Sequence, residues 1–199
     1  MAFAHSPKIV TDGMVFYYDT GNSKSYKGEP TTNYISPEGQ TFTQITTYND
    51  MSHTQVVDSE SPSGYACEME IIALPVNNSA RARFGFAGSM PTSGTAYVTV
   101  YAKLEGSTTV NIRPAIYSGV SWQILTPLDG GSIYLTEDYR RFGILATLGT
   151  GSGGPNPGFS MTYSNSGGDV GQKTRWHSPQ VEVKAHATQF VNGTRSATE

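Results

Sequence analysis

The chain has 199 residues, of which 37% are hydrophobic, 15% charged and 11% aromatic, and it carries a formal net charge of −3. So low a charge fraction with so many aromatics excludes a disordered chain, the lack of a basic bias speaks against a nucleic-acid partner, and no apolar run approaches the ~18 residues that a membrane span requires. The 22 glycines and 12 tyrosines suit short strands joined by tight turns.

Residues 1–33 read as an extended arm. Its first residues lack the basic segment and apolar core of a signal peptide. Met14, Val15, Phe16, Tyr17, Tyr18 and Asp19 form a short candidate strand. The run from Thr20 to Pro30 that follows is built of turn formers. From residue 34 the signals are strands. Cys67 alternates with Met69 and Ile71, so the single thiol is expected to be buried and inert, and with one cysteine no internal disulfide exists. Residues 80–86 give a further short strand, with Arg81 and Arg83 alternating.

The clearest strand runs from Ala96 to Leu104. Ala96, Val98, Val100, Ala102 and Leu104 fall on one face, and Tyr97, Thr99, Tyr101 and Lys103 on the other. Val110, Ile112, Pro114 and Ile116 repeat the pattern after Gly106, which predicts a hairpin of these two strands. Pro114 has no N–H to give a ladder and predicts an edge or a bulge there. Phe142, Ile144, Ala146 and Leu148 make another alternating strand, as do Phe159, Met161 and Tyr163 after the Gly-rich loop 149–158. The last strand runs through Val181 and Val183. Trp176 falls on the opposite parity to those valines unless Pro179 marks a bulge. Eight to ten strands with no helical period predict an all-β fold, a two-sheet antiparallel β-sandwich over residues 34–195, with 196–199 a tail or the start of a linker.

Candidate chemistry is sparse. Glu68 and Glu70 share a strand face and are the one carboxylate pair a polysaccharide hydrolase would use; a solvated or calcium-facing strand face accounts for them better. The four histidines have no metal or triad spacing and read as solvent or turn residues. Tyr97, Tyr101, Tyr117 and Trp122 are expected to gather on the outer face of the hairpin. They read first as a protein interface, where Tyr and Trp are enriched, and second as a platform on which the C–H faces of sugar rings stack. No residue is assigned a catalytic role.

Three stretches carry a family resemblance. Residues 8–26, through Asp12, Gly13, Asp19, Asn22, Lys24, Ser25 and Tyr26, resemble the opening of tailed-phage structural proteins of the T4-like marine phage type. Residues 134–142 are similar to a segment before a late strand of jelly-roll carbohydrate-binding modules, with Tyr139 in the place usually held by Trp. Residues 179–195, through Gln180, Glu182, Ala187, Thr188, Phe190, Val191, Gly193, Thr194 and Arg195, resemble the closing strand of such modules in phage tail and head-fibre proteins. The resemblance implies a jelly roll in a virion structural protein assembled in the host cytoplasm: a capsid-decorating, head-fibre or tail-associated component. It is expected to act through contacts with other virion proteins, as a homo-oligomer such as a trimer. The alternative is a module that attaches particles to a cell-surface polysaccharide. No cofactor is implied beyond a structural Ca²⁺ of the kind jelly-roll modules hold, for which Asp58, Glu60 and Asp169 are the candidate ligands.

Overall fold

The computed structural model describes residues 31–43, 45–48, 51–73, 81–86, 91, 93–106, 112–118, 120–149, 158–163, 170–190 and 194–195. The candidate docking strand from Met14 to Asp19 lies outside the described residues. In chain order the elements are β1 (Thr31–Thr32), α1 (Pro37–Gln40), β2 (Ile45–Tyr48), β3 (Met51–Val57), β4 (Tyr65–Ile71), β5 (Arg81–Phe86), β6 (Thr95–Glu105), β7 (Ile112–Tyr117), β8 (Trp122–Ile124), β9 (Thr126–Pro127), β10 (Arg140–Thr147), β11 (Gly158–Tyr163), β12 (Lys173–Glu182) and β13 (Thr194–Arg195).

Period-two alternation produces two layers. One sheet has six strands in the order β3-β4-β12-β6-β10-β9 and the other five in the order β2-β5-β11-β7-β8; β1 and β13 form a separate pair. All pairings are antiparallel. Ala96, Val98, Val100, Ala102 and Leu104 of β6 face the core, joined by Met51, Cys67, Met69, Ile71, Phe142, Ala146 and Trp176 from the same sheet. Ile112, Ile116 and Leu125 close the core from the other side. The fold is a jelly-roll sandwich: alternation predicted the two-sheet sandwich, and the resemblance implied the jelly roll. No helix among the described residues is long and apolar enough to cross a membrane.

The hairpin expected between β6 and β7 does not form. β6 pairs with β10 and β12, whereas β7 pairs with β11 and β8 in the opposite sheet. The chain crosses between layers at this point and at most of its connections, so alternation identifies each strand but not its neighbour. Pro114 is likewise at neither an edge nor a bulge: it is buried in an internal strand whose register is unbroken, facing Met161 on β11. Its carbonyl accepts from Leu125 N, just past the end of β8. The segment before β10 straps the layers together. Leu135 N donates to Ile112 O of β7 and Leu104 N of β6 donates to Thr136 O.

Trp176 is fully buried, and so is Val181, because the register of β12 against β6 shifts between His177 and Gln180. The bulge at Pro179 is real. Ser178 there has a positive φ of 50°, and Asn33 holds the distortion. Its Nδ2 donates to Pro179 O at 3.0 Å, and its Oδ1 accepts from Val181 N at 3.0 Å and Ile35 N at 3.1 Å. Tyr34 N donates to Val181 O alongside. Asn33, the last residue of the expected arm, is thus tied to β12, while Thr31 and Thr32 pair with β13.

Candidate functional site

The outer face of the six-stranded sheet gathers side chains from four strands. Because β6 pairs with β10 on one side and β12 on the other, outward Tyr97, Thr99 and Tyr101 lie beside Leu145, Gly143 and Arg141 of β10 and Glu182, Gln180 and His177 of β12. Tyr97 and Tyr101 are half-buried. The Tyr101 ring stacks on His177 with centroids 4.8 Å apart and planes 9° apart. Tyr139 meets the same imidazole edge-on at 4.4 Å and 74°, and Lys103 Nζ lies 4.5 Å from the Tyr139 ring centre. At Gly143 an added Cβ would come 2.9 Å from Thr99 Cγ2 and 3.0 Å from Tyr97 Cε1. The Tyr97 ring therefore occupies the space a side chain at 143 would need.

His177 is only 3% exposed. Burial holds its imidazole down to about 4, so it is neutral at pH 7. This corrects the reading of all the histidines as solvent or turn residues; nothing in the His spacing signals a ring sandwiched between two tyrosines. Tyr139 donates from its hydroxyl to Asp58 Oδ2 at 2.7 Å, while Asp58 Oδ1 accepts from Glu60 N at 2.9 Å across the β3–β4 turn. Burial disfavours the Asp58 charge, yet these two hydrogen bonds together with the nearby positive charge of Lys103 keep the carboxyl below its usual range. Tyr139, flagged as the aromatic in the Trp position, is thus a link from the inter-sheet strap to a turn 81 residues away.

Beyond His177 the face becomes a lattice of charges. Glu68 accepts from Lys173 Nζ at 2.8 Å and from Arg175 Nε and Nη2 at 3.2 and 3.1 Å. Arg175 also meets Glu105 at 3.2 Å and Asp58 at 4.0 Å, and Lys173 meets Glu70 at 3.7 Å. The Lys173 hydrogen bond, chiefly, holds the Glu68 carboxyl below the usual range despite some burial. A general acid needs the opposite shift.

The four aromatics grouped from sequence split between the layers. Tyr97 and Tyr101 lie on the six-stranded sheet, whereas Tyr117 and Trp122 are cross-strand partners of β7 and β8 in the five-stranded one. The missing β6–β7 hairpin is the reason. Among the described residues no three His, Cys, Asp or Glu side chains converge as a metal site. Of the calcium candidates, Asp58 is taken up by Tyr139 and the turn, Glu60 is exposed, and Asp169 lies outside the described residues. Arg81 and Arg83 sit on β5. Cys67 is buried in the core, with burial pushing its thiol far up. Arg141 was not signalled by sequence at all. It is half-buried beside Tyr101, with its guanidinium 5.7 Å from that ring centre and its Nη2 donating to Thr99 Oγ1 at 3.0 Å.

No family model matches the chain, and no curated protein matches it. Solved structures resemble it in fold. The tandem CBM22-1–CBM22-2 domain of Paenibacillus barcinonensis Xyn10C superposes with a TM-score of 0.51 at 9% identity, covering 83% of this chain and 50% of that one. An arabinose-bound α-L-arabinofuranosidase, MgGH51, gives a TM-score of 0.51 at 12% identity, over 90% of this chain and 30% of that one. The chain thus spans half or less of each. At such identities the likeness establishes a shared sandwich architecture.

Proposed function

We propose that this chain is a non-catalytic carbohydrate-binding module whose platform is the outer face of the six-stranded sheet at Tyr97 and Tyr101. One observation carries the reading: two half-buried tyrosines, four positions apart on one face of a central strand, are held by Gly143 and His177 on a face that also offers hydrogen-bonding groups. Fixed aromatic rings suit sugars, because pyranose C–H groups stack on a π-face while their hydroxyls reach polar neighbours. The sandwich shared with the carbohydrate-binding tandem of Xyn10C supports this use over a purely structural one. The absence of catalysis is supported by Glu68 and Glu70, the one sequence-level candidate pair, being tied into ion pairs with Lys173 and Arg175.

The test is retardation of the chain in native gels containing different polysaccharides, with Tyr97→Ala as the variant. Removing a central aromatic is expected to weaken binding about tenfold or more, as at other hot spots, with the circular dichroism spectrum unchanged. If no neutral or acidic polysaccharide retards the folded wild type, the reading fails.

A second reading keeps the protein-interface role in a virion, with other virion proteins or further copies of the chain as partners. One observation favours contact with protein: Val57, on the edge strand β3 of the six-stranded sheet, is 82% exposed, and its cross-strand partner Tyr65 on β4 is 40% exposed. The motifs that resemble phage proteins speak less for it, since where described they are structural. Thr188 N and Oγ1 donate to the buried Glu182 carboxylate, and Gln180 Nε2 donates to Thr188 Oγ1. Sedimentation tests this reading. An oligomer that Val57→Lys dissociates would support it, and a monomer at all concentrations would count against it.

A further inference from the structure

Arg141 stands apart from the other cations of this face. Lys103, Lys173 and Arg175, as well as Arg140 next in the chain, each meet a carboxylate within 4.0 Å. Among the described residues Arg141 has no such partner. Its guanidinium is half-buried, its Nη2 is bonded only to a hydroxyl, and its Nε is buried with no acceptor. The nearest acidic influence is Glu182, whose two oxygens accept from Thr188. A desolvated cation with no carboxylate at ion-pair distance among the described residues is costly to hold in a fold. The setting keeps it in place: Thr99 anchors one nitrogen, Tyr101 lies under the plane, and Tyr97 fills the space above Gly143, two residues along the same face of β10.

On the glycan-binding reading above, we infer that the ligand is an acidic polysaccharide, with a uronate carboxylate on Arg141 and the sugar ring against Tyr97 or Tyr101. A guanidinium offers a planar fork that matches a carboxylate with two parallel N–H···O bonds. In a hexuronate the carboxylate projects from the ring edge, so an arginine beside a tyrosine face engages charge and C–H surface of the same residue. The chain has a net charge of −3, so long-range attraction does not draw it to polyanions; the preference rests on this local site.

The experiment compares wild-type binding to polygalacturonate and to the same polymer after reduction of its carboxyls to neutral galactose units. Arg141→Lys and Arg141→Met are tested alongside, and dextran sulfate serves as a polyanion without carboxylates. Tighter binding to the acidic polymer, by about tenfold or more, is expected. Arg141→Met is expected to abolish that difference and Arg141→Lys to keep only part of it. The wild-type comparison decides the matter even if a variant fails to fold. Equal binding to both galactose polymers overturns the acidic preference while leaving glycan binding in place, and binding to dextran sulfate as tight as to polygalacturonate overturns it as well. Binding to no polymer removes both readings together.

Discussion

Replacing Asn33 by Ala removes a single small side chain yet releases the bulge on which the last strand depends. Three hydrogen bonds go with it: those to Pro179 O, from Val181 N and from Ile35 N, all within 3.1 Å and all buried. At roughly 1 kcal/mol net for each, the loss comes to about 3 kcal/mol, a large part of the ~5–15 kcal/mol that holds a typical domain together. Asn33→Asp retains the acceptor but turns a second oxygen towards the Pro179 carbonyl and places a charge where the residue is 6% exposed, so it is expected to cost more. Urea unfolding followed by tryptophan fluorescence measures both, since Trp176 lies in the core beside the bulge. With a slope near 2 kcal/mol per M, Asn33→Ala is expected to lower the midpoint by about 1.5 M with the slope unchanged. A shift below about 0.3 M would show that the bulge stands without its clasp and refute the reasoning.

Gly143→Ala sets a methyl 3.1 Å from the Val98 carbonyl as well as against Tyr97 and Thr99; a cost of about 1–3 kcal/mol is expected, with weaker glycan binding as Tyr97 is displaced, and an unaltered melting temperature would count against it. His177, held at about 4 against an ordinary 6.5, binds its proton less readily folded than unfolded, so stability is full above pH 6.5 and falls as the pH drops towards 4, by about 3 kcal/mol. His177→Gln is expected to flatten this limb of the stability profile between pH 6.5 and 4.5, and an identical loss in both proteins would refute the assignment. Cys67, fully buried, is expected to react with a thiol reagent only at the rate of unfolding; prompt modification of the native chain would be the contrary result.

Strand identity was legible where apolar and polar residues alternate, as in β6 and β10, because one face of each lies on the core. Pairing was not legible, since period two is the same whether the next strand is across a turn or across the sandwich; that is why Tyr117 and Trp122 were grouped with Tyr97 and Tyr101. Trp176 shows the reverse case. Its parity conflicted with Val181, and Pro179 resolved the conflict because a bulge shifts the register by design. The site itself was half legible. Tyr97 and Tyr101 were visible as an outward pair, but the clasp on His177, the link from Tyr139 to Asp58 and the unpaired charge of Arg141 all depend on strands brought together from far along the chain.

The position of β12 has a consequence for synthesis on the ribosome. It is the last long strand to emerge, yet it lies between β4 and β6 in the middle of the larger sheet. Until residue 182 has left the exit tunnel, both neighbours present bare backbone edges, and Trp176 has not reached its place in the interior. The nascent chain must wait with its central slot open, so productive folding is slow in the manner of topologies rich in distant pairings.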